Sequence, residues 1–269
     1  MKRNLILMAT IAIMTIACES SNDSTPNGTI KFNDGLVQGL CVRNWDTNSD
    51  GELSYKEAAA VTDIGTVFKG SSIVQFPELK YFTGISNIAD NAFQKCENLT
   101  MVTLPNQITT IGSSAFESCW NIVFVNIPNG VTSIGNNAFS YCWDLMDVKI
   151  PDGVTTIESS AFNNCESLTS VTIPDSVTKI GERAFSSCES LTSLTIGDSV
   201  TGIGYAAFWG CESLISVYCK AVVPPSLTGL VFDFDRRYCT IYVPVESVEV
   251  YKCSIDWYEY ADVIFGYDF

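Results

Sequence analysis

The sequence predicts an α/β repeat solenoid, in which a coiled chain presents a parallel β-sheet, with a short helical module before it and a cap after it. Three sets of residues recur at intervals of 23 positions: six cysteines, six Ala-Phe pairs and six isoleucines. They are Cys96, Cys119, Cys142, Cys165, Cys188 and Cys211; the pairs ending in Phe93, Phe116, Phe139, Phe162, Phe185 and Phe208; and Ile88, Ile111, Ile134, Ile157, Ile180 and Ile203. A fixed period of this length indicates units that stack on one another around a shared core.

One repeat, residues 165–187, shows why each unit should form one turn of the coil. It reads CESLTSVTIPDSVTKIGERAFSS. LTSVTIP alternates apolar and polar side chains as a short strand does, and PDS is a turn sequence. Gly181 is expected to adopt a positive φ. Ala184 and Phe185 are expected to pack into the core from a short helical turn.

The repeat resembles the leucine-rich repeat of the BspA-type family of bacterial surface proteins. Over about residues 76–218 it follows the family pattern Ile-Pro-x-x-Val-x-x-Ile-Gly-x-x-Ala-Phe-x-x-Cys, and it departs from it at Glu158, where the glycine is missing, and at Gly197, where the proline is missing. The resemblance implies a right-handed leucine-rich-repeat solenoid that is used mainly for binding.

The six repeated cysteines are expected to be buried thiols. Stacked side chains that point the same way have poor geometry for disulfides, and free cysteine behaves as a small buried apolar residue. Cys219, Cys239 and Cys253 lie outside the repeat. A bridge such as Cys219–Cys239 stays open.

The chain divides into five expected segments. They are a lipoprotein signal peptide (1–17), a flexible tether (18–30), an EF-hand-like module (31–64), the repeats (65–218) and a C-terminal cap (219–269). Lys2 and Arg3 precede an apolar stretch, and Thr15-Ile16-Ala17-Cys18 then resembles a bacterial lipoprotein box. This resemblance implies cleavage before Cys18 and lipidation of its sulfur; the alternative is an ordinary signal peptide with a chance cysteine.

The cap is expected to contain a short strand over Cys239–Val243 and a helix over about Glu246–Tyr260. Its aromatic residues would cover the last coil, because a solenoid exposes apolar surface at both ends. They are Tyr242, Tyr251, Trp257, Tyr260, Phe265 and Phe269.

Residues 46–57 read DTNSDGELSYKE and match the twelve-residue EF-hand calcium loop at each defining position. Gly51 would permit the sharp turn, and Ser54 would cap an exit helix. The expected ligand oxygens belong to Asp46, Asn48, Asp50, the Glu52 carbonyl, Ser54 and Glu57. The alternatives are an acidic turn without metal and one half of a dockerin pair. Because the sequence holds one such loop, we expect a single structural calcium ion.

Charge and composition exclude several classes of function. The net charge is −15, which argues against nucleic acid and anionic lipid as partners. The sequence contains no histidine, which excludes His-based acid/base and nucleophilic catalysis. The expected function is therefore non-enzymatic binding or adhesion. The ligand would be a protein on a host or neighbouring cell, with glycan capture as the alternative and a carboxylate-based glycosidase as the less favoured one.

The expected ligand patch is Trp120, Phe124, Trp143, Asp147 and Lys149. The tryptophans occupy a position that later repeats fill with glutamate, and Phe124 and Asp147 occupy a strand position that later repeats fill with serine. Large aromatic residues often dominate protein interfaces. The alternative is that the tryptophans stack on each other or lie under the N-terminal module. We expect a monomer on the outer membrane, surface-exposed and held only by its lipid anchor.

Overall fold

A computed structural model describes residues 28–233 and 238–269. The predicted signal peptide, the lipidation at Cys18 and most of the tether lie outside the described residues. The architecture is a repeat solenoid built from parallel strands, with helices at both of its ends. The predicted fold class is confirmed.

Two short helices form the N-terminal module. Helix α1 spans Gly35–Trp45 and helix α2 spans Tyr55–Ala60. The Asp34 carboxylate caps α1 by accepting hydrogen bonds from the N–H groups of Leu36 and Val37. Ser54 caps α2, as predicted.

Two sets of strands run along the solenoid, and each strand pairs in parallel with its counterpart one coil away. The first set forms two sheets, of four and five strands. These strands are β1 (Gln75–Phe76), β3 (Met101–Val102), β5 (Phe124–Val125) and β7 (Asp147–Val148), followed by β9 (Ser170–Thr172), β11 (Ser193–Ile196), β13 (Ser216–Cys219), β15 (Thr240–Pro244) and β16 (Ile264–Tyr267). We call the outer surface of this set the strand face.

The second set forms one sheet of seven strands on another side of the coil. Its strands are β2 (Asn87–Ile88), β4 (Thr110–Ile111), β6 (Ser133–Ile134), β8 (Thr156–Ile157), β10 (Lys179–Ile180), β12 (Gly202–Ile203) and β14 (Ser226–Leu227). The repeated isoleucines all lie in this sheet with their side chains buried.

The core is a set of residue columns that run the length of the solenoid. Its most regular column is a stack of eight phenylalanines with neighbouring ring centroids 5.1–5.5 Å apart and interplanar angles of at most 12°. The stack runs through Phe68, Phe93, Phe116, Phe139, Phe162, Phe185, Phe208 and Phe232. The coils therefore share one continuous apolar interior.

The segment that carries these phenylalanines is not the short helical turn that the sequence suggested. Asn91 and Lys95 have φ of 60° and 62°, and the same two positions are left-handed in each of the next coils. The N–H of Phe93, which lies between them, donates to the Ala115 carbonyl of the next coil at 2.7 Å. Alternating left-handed residues therefore point every second amide toward the neighbouring coil, so this side is also hydrogen-bonded from coil to coil.

The prediction of a positive φ at Gly181 is wrong. The left-handed residue is Arg183, with φ of 52°. Gly181 is needed for a different reason: a Cβ there would lie 2.6 Å from the Ser159 nitrogen and 2.7 Å from the Glu158 carbonyl carbon. Gly112, Gly135 and Gly204 occupy the same crowded position in other coils.

Glu158 breaks this glycine column, and the sheet is altered at that point. Strands β6 and β8 pair only at Ile134 and Ile157, whereas β8 and β10 pair at two residues. The equivalent glycines of other coils lie where a Cβ would meet the backbone of the preceding coil. The buried columns continue through this coil, as predicted.

All six repeated cysteines are buried free thiols, which confirms the prediction. Each thiol also donates to the carbonyl of a phenylalanine in the preceding coil, at 3.0–3.4 Å. Burial raises the pKa of Cys211 to about 12, so its sulfur stays protonated and able to donate. The open question of a Cys219–Cys239 bridge is also answered: both are free, and the Cys219 sulfur lies 3.2 Å from the Tyr251 hydroxyl.

The C-terminal cap differs in part from the prediction. The strand is present as β15, but the long helix is broken. A turn of 3-10 helix (Val245–Ser247) leads into α3 (Val248–Cys253), and a second 3-10 segment (Tyr258–Val263) follows an extended residue at Ser254. The break lets Trp257 enter the core, where its indole N–H donates to the Pro225 carbonyl at 2.7 Å.

The N-terminal module closes the other end of the solenoid. The Trp45 ring contacts Phe68 and Phe82 of the first coil, with centroid distances of 6.1 and 5.3 Å. Over residues 28–233 and 238–269, no helix has the length and apolar character needed to cross a bilayer.

Candidate functional site

The backbone of residues 46–57 has the sharp turns that the loop pattern requires. Ser49 and Gly51 have φ of 60° and 84°, in the left-handed region that favours glycine. The Asp46 carboxylate accepts hydrogen bonds from the N–H groups of both residues, at 2.7 and 2.9 Å. Asp50 accepts from the Asn48 side-chain amide at 2.8 Å.

Glu57, at the twelfth position of the loop, joins the two ends of the loop. One carboxylate oxygen accepts from the backbone N–H and the hydroxyl of Thr47, each at 2.8 Å. The other accepts from the N–H and hydroxyl of Ser54, at 3.0 and 2.8 Å, and the Ser54 hydroxyl in turn accepts from the Glu57 N–H. These hydrogen bonds lower the pKa of Glu57 to about 2. The largest contribution comes from the Ser54 N–H, and the next from the Thr47 hydroxyl.

A strap at the start of the described chain pairs with the end of the loop. The Ile30 N–H donates to the Leu53 carbonyl at 2.8 Å, and the Tyr55 N–H donates to the Gly28 carbonyl at 3.0 Å. Leu53 is buried, as expected for the anchor at position 8 of the loop. The single loop is thus held by the protein's own backbone.

The donor set of the loop fits a hard cation by its chemistry. All six predicted ligands offer oxygen, and a cavity of about 450 Å³ lined in part by Asn48, Asp50, Ser54 and Glu57 opens beside them. The carboxylates and thiols of the described segments nowhere come together in threes as they would around a metal ion. Calcium at this loop stays a prediction.

The predicted patch residues lie on the strand face and beside it. Met101, Phe124 and Asp147 are register partners on β3, β5 and β7, and Ser170 and Ser193 are register partners on β9 and β11. The structure therefore confirms that these large or charged residues occupy the strand position that serine occupies in later coils. Half of the Phe124 side chain is exposed.

Trp120 and Trp143 stack on each other, which was the alternative to a free ligand patch. Their ring centroids are 4.8 Å apart and their planes are inclined by 11°. Trp143 nevertheless keeps 37% of its surface exposed. The aromatic contacts of the N-terminal module are with other rings, such as Phe68 and Phe82.

Sequence reasoning missed two exposed residues of this region, Val123 and Met146. They directly precede β5 and β7, and 40% and 52% of their surfaces are exposed. The Met146 N–H donates to the Val123 carbonyl at 3.2 Å, so the two residues are neighbours across the coils. Aligning the repeats would have found them, since the later coils carry Thr169 and Thr192 at this position. We call Met101, Val123, Phe124, Trp143 and Met146 the apolar strip.

A cleft adjoins the apolar strip where the two sheets of the strand face separate, between β7 and β9. Its volume is about 310 Å³, and its polar lining includes Asp147, Lys149, Asp152, Ser170 and Thr172. The hydrogen-bond ladder beneath it persists, because the Thr169 N–H donates to the Met146 carbonyl at 3.3 Å.

The cleft therefore brings together two of the predicted patch residues, Asp147 and Lys149. Lys149 takes part in neither of the two ion pairs found in the described part of the chain, which are Arg183–Glu182 and Lys220–Asp175. Its ammonium group is available to a ligand.

Comparison with known proteins shows which residues of the chain resemble a known family. A family model described as the BspA type leucine-rich repeat region matches residues 86–215 in six copies. No curated protein matches the sequence.

Several solved structures are similar over part of their length. A leucine-rich repeat protein from T. pallidum is 32% identical, with a TM-score of 0.49, over 49% of this chain and 62% of its own. A leucine-rich cell surface protein from Faecalibacterium prausnitzii is 30% identical, with a TM-score of 0.29, over 54% and 52%. A leucine-rich repeat protein from Bacteroides ovatus is 18% identical, with a TM-score of 0.32, over 82% and 89%. The chain thus spans less than two thirds of the first two proteins.

The spacing of the repeated columns, the stacked parallel strands and the six matched copies agree. Residues 86–215 of this chain match the model of the BspA type leucine-rich repeat region.

Proposed function

We propose that the protein is a non-enzymatic binding protein of the bacterial cell surface, which recognises a protein ligand through the apolar strip and the cleft beside it. The observation that supports this most is the strip itself: five large apolar side chains stand exposed on neighbouring coils of a rigid scaffold. Contiguous exposed apolar surface with a polar rim is typical of protein-binding sites. The cleft supplies such a rim through Asp147 and Lys149.

The experiment that tests this exchanges strip residues for those of later coils. Phe124→Ser together with Met146→Thr installs the residues that the same columns carry at Ser170 and Thr169, so the fold should tolerate both. A partner is first recovered with the wild-type mature chain from host-cell surface proteins. The double variant should then bind it at least thirtyfold more weakly, because interface anchors each contribute on the order of 2 kcal/mol.

The matched control is Ile215→Thr. Ile215 lies in the same column as Met146, at the opposite end of the strand face, and 57% of it is exposed. This variant should bind as the wild type does. Equal binding by the double variant and the wild type, with equal melting temperatures, would reject the strip as the binding site.

The cleft also favours one enzymatic alternative. Asp147 and Asp152 both line it, and a pair of carboxylates is the minimum that a glycoside hydrolase without histidine requires. Hydrolysis of chromogenic glycosides that is lost in Asp147→Asn would establish this second candidate. The absence of turnover across a broad substrate set would leave binding as the function.

We further propose that Cys18 is lipidated and that the lipid anchors the chain on the outer membrane, surface-exposed and monomeric. The support is the lipoprotein-like sequence before Cys18 and the acidic, polar segment after it. Cys18→Ala should move the protein from the membrane fraction to the soluble fraction, since the acyl chains hold the protein at the bilayer. An unchanged distribution, with no lipid mass on the N-terminal peptide, would contradict the anchor.

The third part of the proposal is a structural calcium ion held by Asp46, Asn48, Asp50, the Glu52 carbonyl, Ser54 and Glu57. Calcium that binds only the folded protein should stabilise it by about 2.7 kcal/mol at one hundred times the dissociation constant. Glu57→Gln should abolish this gain but keep the cap of α2, because glutamine also completes a capping box. Melting curves with calcium and with chelator measure the gain directly.

The control for the calcium experiment is Asp63→Asn. Asp63 is an exposed acid just beyond α2 and outside the loop. This variant should keep the full calcium-dependent rise in melting temperature. A wild-type melting curve that is the same in calcium and in chelator would refute the site.

A further inference from the structure

A second group of aromatic side chains lies at the other end of the strand face, well separated along the solenoid from the apolar strip. Tyr218 on β13 and Tyr242 on β15 are register partners. Their ring centroids are 4.9 Å apart and their planes are inclined by 14°. Tyr267 on β16 meets both rings at steep angles, with centroid distances of 5.3 and 5.7 Å, and Phe269 contacts Tyr267 at 5.1 Å.

These rings fix one another in place. Aromatic side chains favour offset stacked and edge-to-face contacts, and this group uses both. A ligand that binds here does not have to order the side chains first, which lowers the entropic cost of binding. We call Tyr218, Tyr242, Tyr267 and Phe269 the tyrosine platform.

The hydroxyl groups of the platform are free for a ligand. No partner is found for the hydroxyls of Tyr218, Tyr242 and Tyr267 among residues 28–233 and 238–269, and all three residues are at least partly exposed. The buried Tyr251 differs, since its hydroxyl donates to the Ala221 carbonyl at 2.7 Å. The platform therefore offers both apolar ring surface and uncommitted donors and acceptors.

One side of the platform adjoins a surface lined with hydroxyl groups. Tyr242 covers one face of the Tyr218 ring, and the register partner of Tyr218 on the other side is Thr195 of β11. The outward positions of β9 and β11, and the first outward positions of β13 and β15, hold only hydroxyl side chains. They are Ser170, Thr172, Ser193, Thr195, Ser216 and Thr240.

The cations at the platform end of this surface are already engaged, whereas Lys149 lies free beside Ser170 and Thr172 at the other end. Lys220 pairs with Asp175 at 3.3 Å, and the Lys252 ammonium lies 5.9 Å from the centre of the Phe265 ring. An anionic ligand would find no free cation among the outward positions of these strands, and the net charge of −15 would repel it further.

We infer that the tyrosine platform and the adjoining row of hydroxyls bind a neutral oligosaccharide. A sugar ring has an apolar face of C–H groups and a rim of hydroxyls. The C–H face fits against the side of the Tyr218 ring that faces Thr195, and the rim fits the hydroxyls of Thr195 and Ser193. Because the hydroxyl row continues over several strands spaced by ~4.8 Å, the site suits several consecutive sugar units of a chain.

The test is gel retardation of the full mature chain in neutral polysaccharides, namely soluble starch, α-mannan and mixed-linkage β-glucan, with polygalacturonate as the anionic comparison. Retardation by at least one neutral polysaccharide is expected. Tyr218→Thr, which installs the residue that β9 and β11 carry in this column, should weaken the affinity at least about tenfold. Tyr218→Phe keeps the ring, and its affinity should fall by only about two- to threefold, the loss of one hydroxyl contact.

The apolar-strip variant, Phe124→Ser with Met146→Thr, separates this inference from the proposed function. It should be retarded by polysaccharide as the wild type is, whatever its effect on the protein ligand. The inference is overturned if none of the neutral polysaccharides retards the wild type, or if polygalacturonate is bound in preference. It is also overturned if Tyr218→Thr binds polysaccharide as the wild type does, or loses a protein partner instead.

Discussion

Phe139→Ala is expected to lower the free energy of unfolding by about 3–5 kcal/mol, the range for removing a fully buried aromatic side chain. The Phe139 ring lies in the middle of the stack, with Phe116 and Phe162 on its two faces at 5.2 and 5.3 Å. Its loss would leave a cavity that neither neighbour can fill, since each is held by the next ring along. Urea titration followed by tryptophan fluorescence measures the change.

The control for this prediction is Phe124→Ser. Phe124 has the same side chain and lies in the same coil as Phe139, but half of it is exposed on the strand face. Serine at this position should change the stability by no more than about 0.5 kcal/mol, as at most surface sites. Equal losses for the two variants would show that the stack contributes nothing beyond ordinary surface contacts.

Gly181→Ala should cost about 2–3 kcal/mol, the upper part of the range for overpacking. The added Cβ would meet backbone atoms of the preceding coil, at 2.6 Å from Ser159 and 2.7 Å from Glu158. Backbone cannot move aside as a flexible side chain can, so the two coils must separate.

Gly39→Ala is the matched substitution and should act in the opposite direction. Gly39 lies exposed within α1, and a Cβ there would meet no atom within 4 Å. Alanine favours helix over glycine by about 0.5–1 kcal/mol, so the variant should be slightly more stable. Stabilisation by Gly181→Ala would contradict the close approach of the coils.

The buried columns were predictable because a repeat magnifies a weak signal. A single isoleucine or phenylalanine says little about burial, but six at a fixed spacing must share one environment. The same reasoning placed the cysteine thiols inside. It did not reveal their hydrogen bonds, because the phenylalanine carbonyl that each thiol meets belongs to a different coil.

The predictions of a positive φ at Gly181 and of a short helical turn around Phe185 failed for a physical reason. A glycine can be required either because the residue has a positive φ or because two backbone segments approach closely. The sequence alone does not distinguish these two requirements. Arg183 and Tyr141 adopt left-handed φ without being glycine or asparagine, since hydrogen bonds between the coils hold them there. Such tertiary constraints leave no signal in the local amino-acid sequence.

A candidate site could be predicted from the sequence only where all of its residues lie in one continuous segment. The EF-hand-like loop is continuous in sequence, so its six candidate ligands could be named from residues 46–57. The tyrosine platform could not be foreseen, because Tyr267 lies outside the repeats and no period aligns it with Tyr218. Val123 and Met146 were missed because they precede their strands, where the two-residue alternation assigns no face.

The most direct measurement of the central claim is a photo-crosslink from the strand face to the protein ligand. A photoreactive amino acid at Phe124 probes the apolar strip, and one at Thr132, exposed just before β6 in the same coil, probes the seven-stranded sheet at the same height. The proposed function predicts a covalent adduct with the ligand from position 124 and none from position 132. An adduct formed from position 132, with none from position 124, would contradict it.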